Sequence, residues 1–203
     1  MQRPSAGEEA RLPDPEEHAK APVAVVGLGY VGLPTALALL AAGNEVIGLD
    51  VSDARLEAIR SGDVDLLPSD HQRLSRHLDH ARFTLTSDPD QLGRARTVMI
   101  CVPTPVDRHL VPDLTAMAAA CATAVAHAVP GQLLMLTSTT YVGTTRDLLM
   151  KPLTGRGLEV GSEVFVAFSP ERTRACPTSA PPPPSRPRAR TVTGGWSGRG
   201  AMV

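Results

Sequence analysis

Residues 22–50 read PVAVVGLGYVGLPTALALLAAGNEVIGLD, and their order of residue types sets the fold class. Val23 to Val26 are short, apolar and mostly β-branched, as a central parallel strand should be. Gly27-Leu28-Gly29-Tyr30-Val31-Gly32 follows without a gap. In such a strand–turn–helix unit Gly27 permits the tight turn and Gly29 lets a pyrophosphate approach bare backbone at the positive helix end. Gly32 lets the helix pack close to the sheet. Ala36 to Ala42 continue as helix, Gly43-Asn44 stops it, and Glu45 to Leu49 form a second strand ending in Asp50. That acid lies about twenty residues beyond the glycines, where a carboxylate accepts the ribose hydroxyls of an adenosine. A carboxylate there repels a 2′-phosphate and Val51 offers no cation to receive one, so NAD is expected over NADP. Arg55 has two readings: a group over the adenine or ribose, or a solvated arginine on an exposed helix face.

The chain of 203 residues is 42% hydrophobic with mean hydropathy −0.03, the balance of a globular protein. Aromatics make up only 3%, so Ala, Val and Leu must build the core. A net charge of −1 gives no reason to expect nucleic acid or an anionic membrane as partner. No apolar run is long enough to span a bilayer, and residues 1–20 lack the apolar centre of a signal peptide, so a cytoplasmic protein is expected. Cys101, Cys121 and Cys176 lie far apart with no metal-ligand spacing and are expected as reduced thiols. His71, His77 and His80 do not share a helix face, so no metal site is expected from them.

Residues 1–20 read as a disordered lead. Beyond Asp50, Ser52 or Asp53 can cap a helix through about Arg60, and Asp70 to Leu78 carries a second helical pattern with Leu74 and Leu78 on one face. Phe83 to Thr86 and Thr97 to Val102 are strands, with Cys101 read as core packing and Thr104 placed at a strand's carboxyl end, where ligands lie in doubly wound sheets. Asp113 to His127 is an alanine-rich helix with Asp113 available as cap. After Pro130-Gly131, Leu133 to Leu136 forms a strand that delivers Thr137, Ser138, Thr139 and Thr140 to the same edge. Those hydroxyls can serve a nicotinamide, a sugar or an ordered water, or simply cap the helix from Thr144 to Leu153. Val164 to Phe168 is the last strand, ending in Ser169-Pro170-Glu171-Arg172. The alternation of strand and helix argues for an α/β fold, a Rossmann-type doubly wound and mostly parallel sheet over residues 21–172.

Four motifs in order, GLGYVGLP at 27–34, CVPTP at 101–105, STTYVGTT at 138–145 and FSPER at 168–172, resemble the nucleotide-sugar 6-dehydrogenases. These oxidise UDP-glucose, UDP-N-acetylhexosamines or GDP-mannose to uronic acids with NAD, and the TTY and FSPER wording is most similar to the UDP-N-acetylglucosamine and UDP-N-acetylmannosamine branch. The resemblance implies that Tyr30, Val31, Asp50, Arg55, Thr104 and Thr139 contact the cofactor beside Gly27, Gly29 and Gly32. It implies Glu171 as a catalytic carboxylate with Thr139 beside it, and Arg172 as a contact to a UDP-sugar substrate. Two residues depart from the family pattern: Thr137 stands where a glutamate is usual, and Val142 where a proline is usual. Both departures are expected to loosen the nicotinamide side.

The family's central helix, through which its members oligomerise, and its second α/β domain, with a substrate lysine, a nucleophilic cysteine and an aspartate, are expected to be missing from this chain. From Thr173 the composition changes to an acid-free run rich in Pro and Arg. Residues 173–203 are expected to be a disordered tail produced by a shifted reading frame. Thr173 to Ser179 can be encoded so that moving the frame back one base reads Pro-Gly-Val-Pro-Asp-Phe. The resulting expectation is the NAD-binding portion of a UDP-sugar dehydrogenase, inactive by itself. The alternative is a non-catalytic dinucleotide-binding module whose proline-rich tail recruits a partner. A short-chain dehydrogenase is excluded, because Tyr141 is followed four residues on by Thr145 rather than lysine.

Overall fold

The structure, a computed structural model, describes residues 21–105, 112–138 and 140–170. The expectations for Thr139, Glu171, Arg172, the lead at 1–20 and the tail at 173–203 therefore lie outside the described residues. Six strands, β1 (Val23–Val26), β2 (Val46–Leu49), β3 (Phe83–Thr86), β4 (Thr97–Ile100), β5 (Leu133–Leu136) and β6 (Phe165–Phe168), form one sheet in the order β3-β2-β1-β4-β5-β6. Every pairing among them is parallel. The order reverses between β1 and β4, which opens the crevice that such sheets use for ligands.

The helices are α1 (Gly32–Ala41), α2 (Asp53–Ser61), α3 (Pro68–His77), α4 (Thr115–Ala126) and α5 (Lys151–Gly155). Alternation along the strands sorts the core into two layers. Ala24, Val26, Val98, Ile100, Leu134 and Leu136 face Met117 and Cys121 of α4 and Leu153 of α5. Val25 and Val46 face Leu33, Leu37 and Leu40 of α1, Leu56 and Ile59 of α2 and Leu74 of α3. The small aliphatic composition suffices because each strand is only four residues long and the central β1 and β2 pack apolar groups on both faces.

Most boundaries match the sequence reading, and the exceptions have local causes. Gly43 takes φ +96, letting Asn44 return its N–H and its side-chain amide to the Leu39 carbonyl and close α1. Helix α3 begins at Pro68 rather than Asp70, because proline fits the first helical position. Asp70 is buried instead and pairs with Arg73 at 2.7 Å. Asp113 sits one residue before the cap of α4, where its carboxylate accepts from the Thr115 N–H at 2.9 Å; hydrogen bonds from the Thr115 hydroxyl and then its N–H hold its pKa below the usual carboxylate value.

The helix expected from Thr144 is interrupted by a π turn, Arg146–Met150, in which the Lys151 N–H reaches back to Arg146. Pro152 supplies the cause: it has no N–H for the carbonyl four residues earlier, so the chain widens by one residue ahead of it. Arg156, just past α5, donates to the Val125 and Ala128 carbonyls and so caps the end of α4. A 3-10 turn, Pro89–Arg94, leads into β4 with Asp88 accepting from the Asp90 N–H.

Candidate dinucleotide site

The carboxyl ends of the strands are level. Val26 pairs with Leu49 and with Ile100, and Leu136 pairs with Ile100 and with Phe168. Gly27, Asp50, Cys101, Thr137 and Ser169 therefore leave the sheet along one edge.

The three glycines of the turn differ in what the protein asks of them. Gly27 has φ +87, and a Cβ there would lie 2.9 Å from the Cys101 carbonyl oxygen. A Cβ on Gly32 would lie 1.8 Å from the Gly27 oxygen. A Cβ on Gly29 meets nothing within 4 Å. Two glycines are thus required by the protein's own packing, and the third keeps a space clear that no atom of the described residues fills. That space adjoins the N-terminus of α1, whose first turn carries no acid.

Asp50 leaves β2 half-buried and accepts from two backbone donors, the Leu28 N–H at 2.8 Å and the Ser52 N–H at 2.9 Å, one on each carboxylate oxygen. Each oxygen retains a lone pair for a ribose hydroxyl. Arg55 is half-buried, and its Nε donates to the Leu28 carbonyl at 2.8 Å. The Arg55 side chain is thus bonded to the protein, and Asp50 and Arg55 hold the N–H and the carbonyl of one residue of the glycine turn, Leu28. Ser52 caps α2 through the Arg55 N–H at 3.2 Å and so fixes the stem from which that arginine reaches.

Across the switch point, Thr104 is half-buried in the segment after β4. Thr137 is buried and Ser138 half-buried after β5, and each donates its hydroxyl to the β4 side, to Ile100 at 2.8 Å and to Val102 at 2.6 Å. Tyr30 is exposed and Val31 half-buried at the mouth of the turn. The structure brings Gly27, Gly29, Tyr30, Val31, Gly32, Asp50, Arg55 and Thr104 to one edge of the sheet. Of the two departures from the family pattern, the Thr137 hydroxyl is buried and bonded, and Val142 is exposed. Sequence reasoning missed Leu28, through its N–H and its carbonyl, as the shared target of Asp50 and Arg55, since only folding brings residues 22 and 27 positions apart together.

Among the described residues, no group of three or more His, Cys, Asp or Glu is arranged to hold a metal ion. The Nδ1 of His80 accepts from the Arg82 N–H at 3.1 Å, a turn-closing bond. Among the same residues no helix is long and apolar enough to cross a membrane.

Residues 21–180 match the NAD-binding domain of the UDP-glucose/GDP-mannose dehydrogenase family. The chain belongs to this family. The dinucleotide of the domain is therefore NAD, in keeping with an acid after β2 and open space at Gly29. The domain is 34% identical over 153 residues to the UDP-N-acetyl-D-mannosamine dehydrogenase of Pyrococcus horikoshii, covering 74% of this chain and 36% of that protein. It is 32% identical over 151 residues to the UDP-N-acetyl-D-glucosamine 6-dehydrogenase of Pseudomonas aeruginosa, covering 74% of this chain and 35% of that protein. The solved structure of the P. horikoshii UDP-D-ManNAc dehydrogenase superposes with a TM-score of 0.70 at 32% identity, covering 75% of this chain and 37% of the other. The chain thus spans about a third of the length of these relatives.

Proposed function

We propose that this chain is the NAD-binding portion of a nucleotide-sugar 6-dehydrogenase whose substrate is a UDP-N-acetylhexosamine, oxidised at C6 to the uronic acid. The observation that carries the cofactor half is the space at Gly29, which the fold leaves open beside an acid-free helix N-terminus and the Asp50 carboxylate. The substrate half is supported by the relatives, which act on UDP-N-acetylmannosamine and UDP-N-acetylglucosamine by name. NAD, when bound, takes up the hydride that leaves C6.

The chain's own residues then divide the work. Asp50 accepts the ribose hydroxyls, Arg55 flanks the adenosine, and the Gly29 backbone admits the pyrophosphate. Thr104 and Thr139 are the residues that the family resemblance assigns to the cofactor. Glu171 holds or moves a proton at the sugar, and Arg172 contacts the nucleotide. Cys101 and Cys121 are both buried in the core, so neither thiol is offered to a sugar aldehyde for the covalent adduct that a second oxidation needs. With Cys176 in a run that departs from the family pattern, we expect the 203-residue chain to bind NAD without turning over UDP-sugars; separately, we propose a cytoplasmic location.

Calorimetry on the purified chain tests the first part. NAD should bind more tightly than NADP, and Asp50→Ala should weaken NAD by about 1–3 kcal/mol through loss of a charged hydrogen bond. Equal affinity for the two dinucleotides would defeat the cofactor assignment. Steady NADH formation from UDP-N-acetylglucosamine or UDP-N-acetylmannosamine, abolished by Glu171→Ala, would defeat the expected inactivity.

A further inference from the structure

The backbone ladder between β4 and β5 ends at the pair Ile100 and Leu136, and beyond it two hydroxyls continue the fastening. Thr137 is 4% exposed, and both its N–H and its hydroxyl donate to the Ile100 carbonyl, at 3.1 and 2.8 Å. The same hydroxyl lies 3.2 Å from the Cys101 sulfur. One residue on, the Ser138 hydroxyl donates to the Val102 carbonyl at 2.6 Å.

Cys101 sits beneath the glycine turn: a Cβ on Gly32 would come within 3.2 Å of its own Cβ, and one on Gly27 within 2.9 Å of its carbonyl oxygen. The β5 exit, the β4 exit and the glycine turn are thereby one connected unit. A threonine suits this place where an acid would not. An ionised carboxylate only accepts, whereas the Thr137 hydroxyl gives the Ile100 carbonyl a second donor beside the backbone N–H.

We propose that Thr137 and Ser138 form a hydroxyl latch that positions the nicotinamide half of the site, a role that rests on the NAD reading above. In a sheet of this order a dinucleotide crosses the switch point between β1 and β4. Asp50, after β2, takes the adenosine side, so the remaining half lies over the β4 and β5 exits. The latch holds those two exits together, and with them Thr104 on one and Thr140 on the other. Thr137 and Ser138 are positioning residues: they act through the loops they fasten.

The test compares NAD with ADP-ribose, which lacks the nicotinamide, by calorimetry on the full chain and its Thr137→Val, Thr137→Ser and Ser138→Ala variants. Thr137→Val keeps the shape and leaves the Ile100 carbonyl its backbone N–H partner, so only the hydroxyl is lost. NAD affinity should fall about three- to tenfold in Thr137→Val and in Ser138→Ala, with ADP-ribose affinity changed less than about twofold. Thr137→Ser should keep the affinity for NAD. Unchanged NAD binding in both loss variants, or an equal loss for NAD and ADP-ribose, overturns the latch. Failure of the unsubstituted chain to bind either ligand instead overturns the NAD reading beneath it. Should Thr137→Val not fold, the half-buried Ser138→Ala decides the question by the same comparison.

Discussion

Gly29 and Gly32 are three residues apart in one motif, yet the structure gives them opposite jobs, and substitution by alanine separates them. At Gly32 the new Cβ would meet the Gly27 oxygen at 1.8 Å, a backbone atom that cannot step aside without moving the turn. Gly32→Ala should destabilise the fold by about 1–3 kcal/mol or more, as overpacking does, and thermal unfolding would register it. At Gly29 the same methyl enters open space, and the unfolded chain loses freedom, so stability should hold or rise by up to about 1 kcal/mol. NAD affinity should nonetheless fall more than tenfold, about 1.4 kcal/mol or more, because the methyl occupies the ligand's approach. An unchanged affinity in Gly29→Ala would show that the space serves no pyrophosphate. This division of labour was legible in the sequence, because strand, glycines, helix and acid sit in one continuous stretch. The partner of Arg55 was not legible: the Leu28 carbonyl becomes its neighbour only once β2 lies beside β1. Thr137 was hidden for another reason, since one hydroxyl in a row of four carries no periodic signal that says which is buried.

At the scale of elements, the strands were legible because parallel strands buried on both faces are short apolar runs, and Val23–Val26, Thr97–Ile100 and Leu133–Leu136 stand out between turn residues. The 3-10 turn Pro89–Arg94 escaped notice although Asp88 and Pro89 announce a helix start, because its only buried side chain is Leu92. The π turn likewise needed the position of Pro152 weighed against the carbonyl it strands, a geometric count that apolar periodicity does not make. Helix α4 carries the clearest consequence for solution behaviour. Its Cys121 side chain is buried, and burial pushes the thiol from 9.0 up to about 12. A raised folded-state value means that the unfolded thiol ionises first, so stability is fully present below pH 9.0 and declines as pH rises toward about 12. The loss should approach about 1.4 kcal/mol per pH unit within that window. Denaturant unfolding between pH 8 and about 10.5 would measure it, and Cys121→Ala should flatten the slope by one proton's worth. Identical slopes in the two proteins would remove the thiol as the cause.

For the whole molecule, the two faces of the sheet are unequally covered among the described residues. The layer of α4 and α5 reaches under β5, burying Leu134 and Leu136. On the opposite face the cluster built by α1, α2 and α3 ends at Met99 and includes no residue of β5 or β6. Side chains alternate along a strand, so Leu133 and Met135 point to that opposite face, and their register partners Phe165 and Ala167 point with them. All four are only half-buried. A contiguous apolar surface on an edge strand invites association, both through its side chains and through the unpaired edge. The purified chain should therefore enhance the fluorescence of a hydrophobic dye and show concentration-dependent association in sedimentation. Replacing Phe165 by threonine keeps β propensity while removing a half-buried aromatic ring from that face. Half of a phenylalanine's burial is worth about 1 kcal/mol, counted twice in a pair of copies, so Phe165→Thr should weaken self-association about tenfold or more. A chain that sediments as a monomer at every concentration and leaves the dye dark would mean that this face is covered, and the residues outside 21–170 are then the segments to test by deletion.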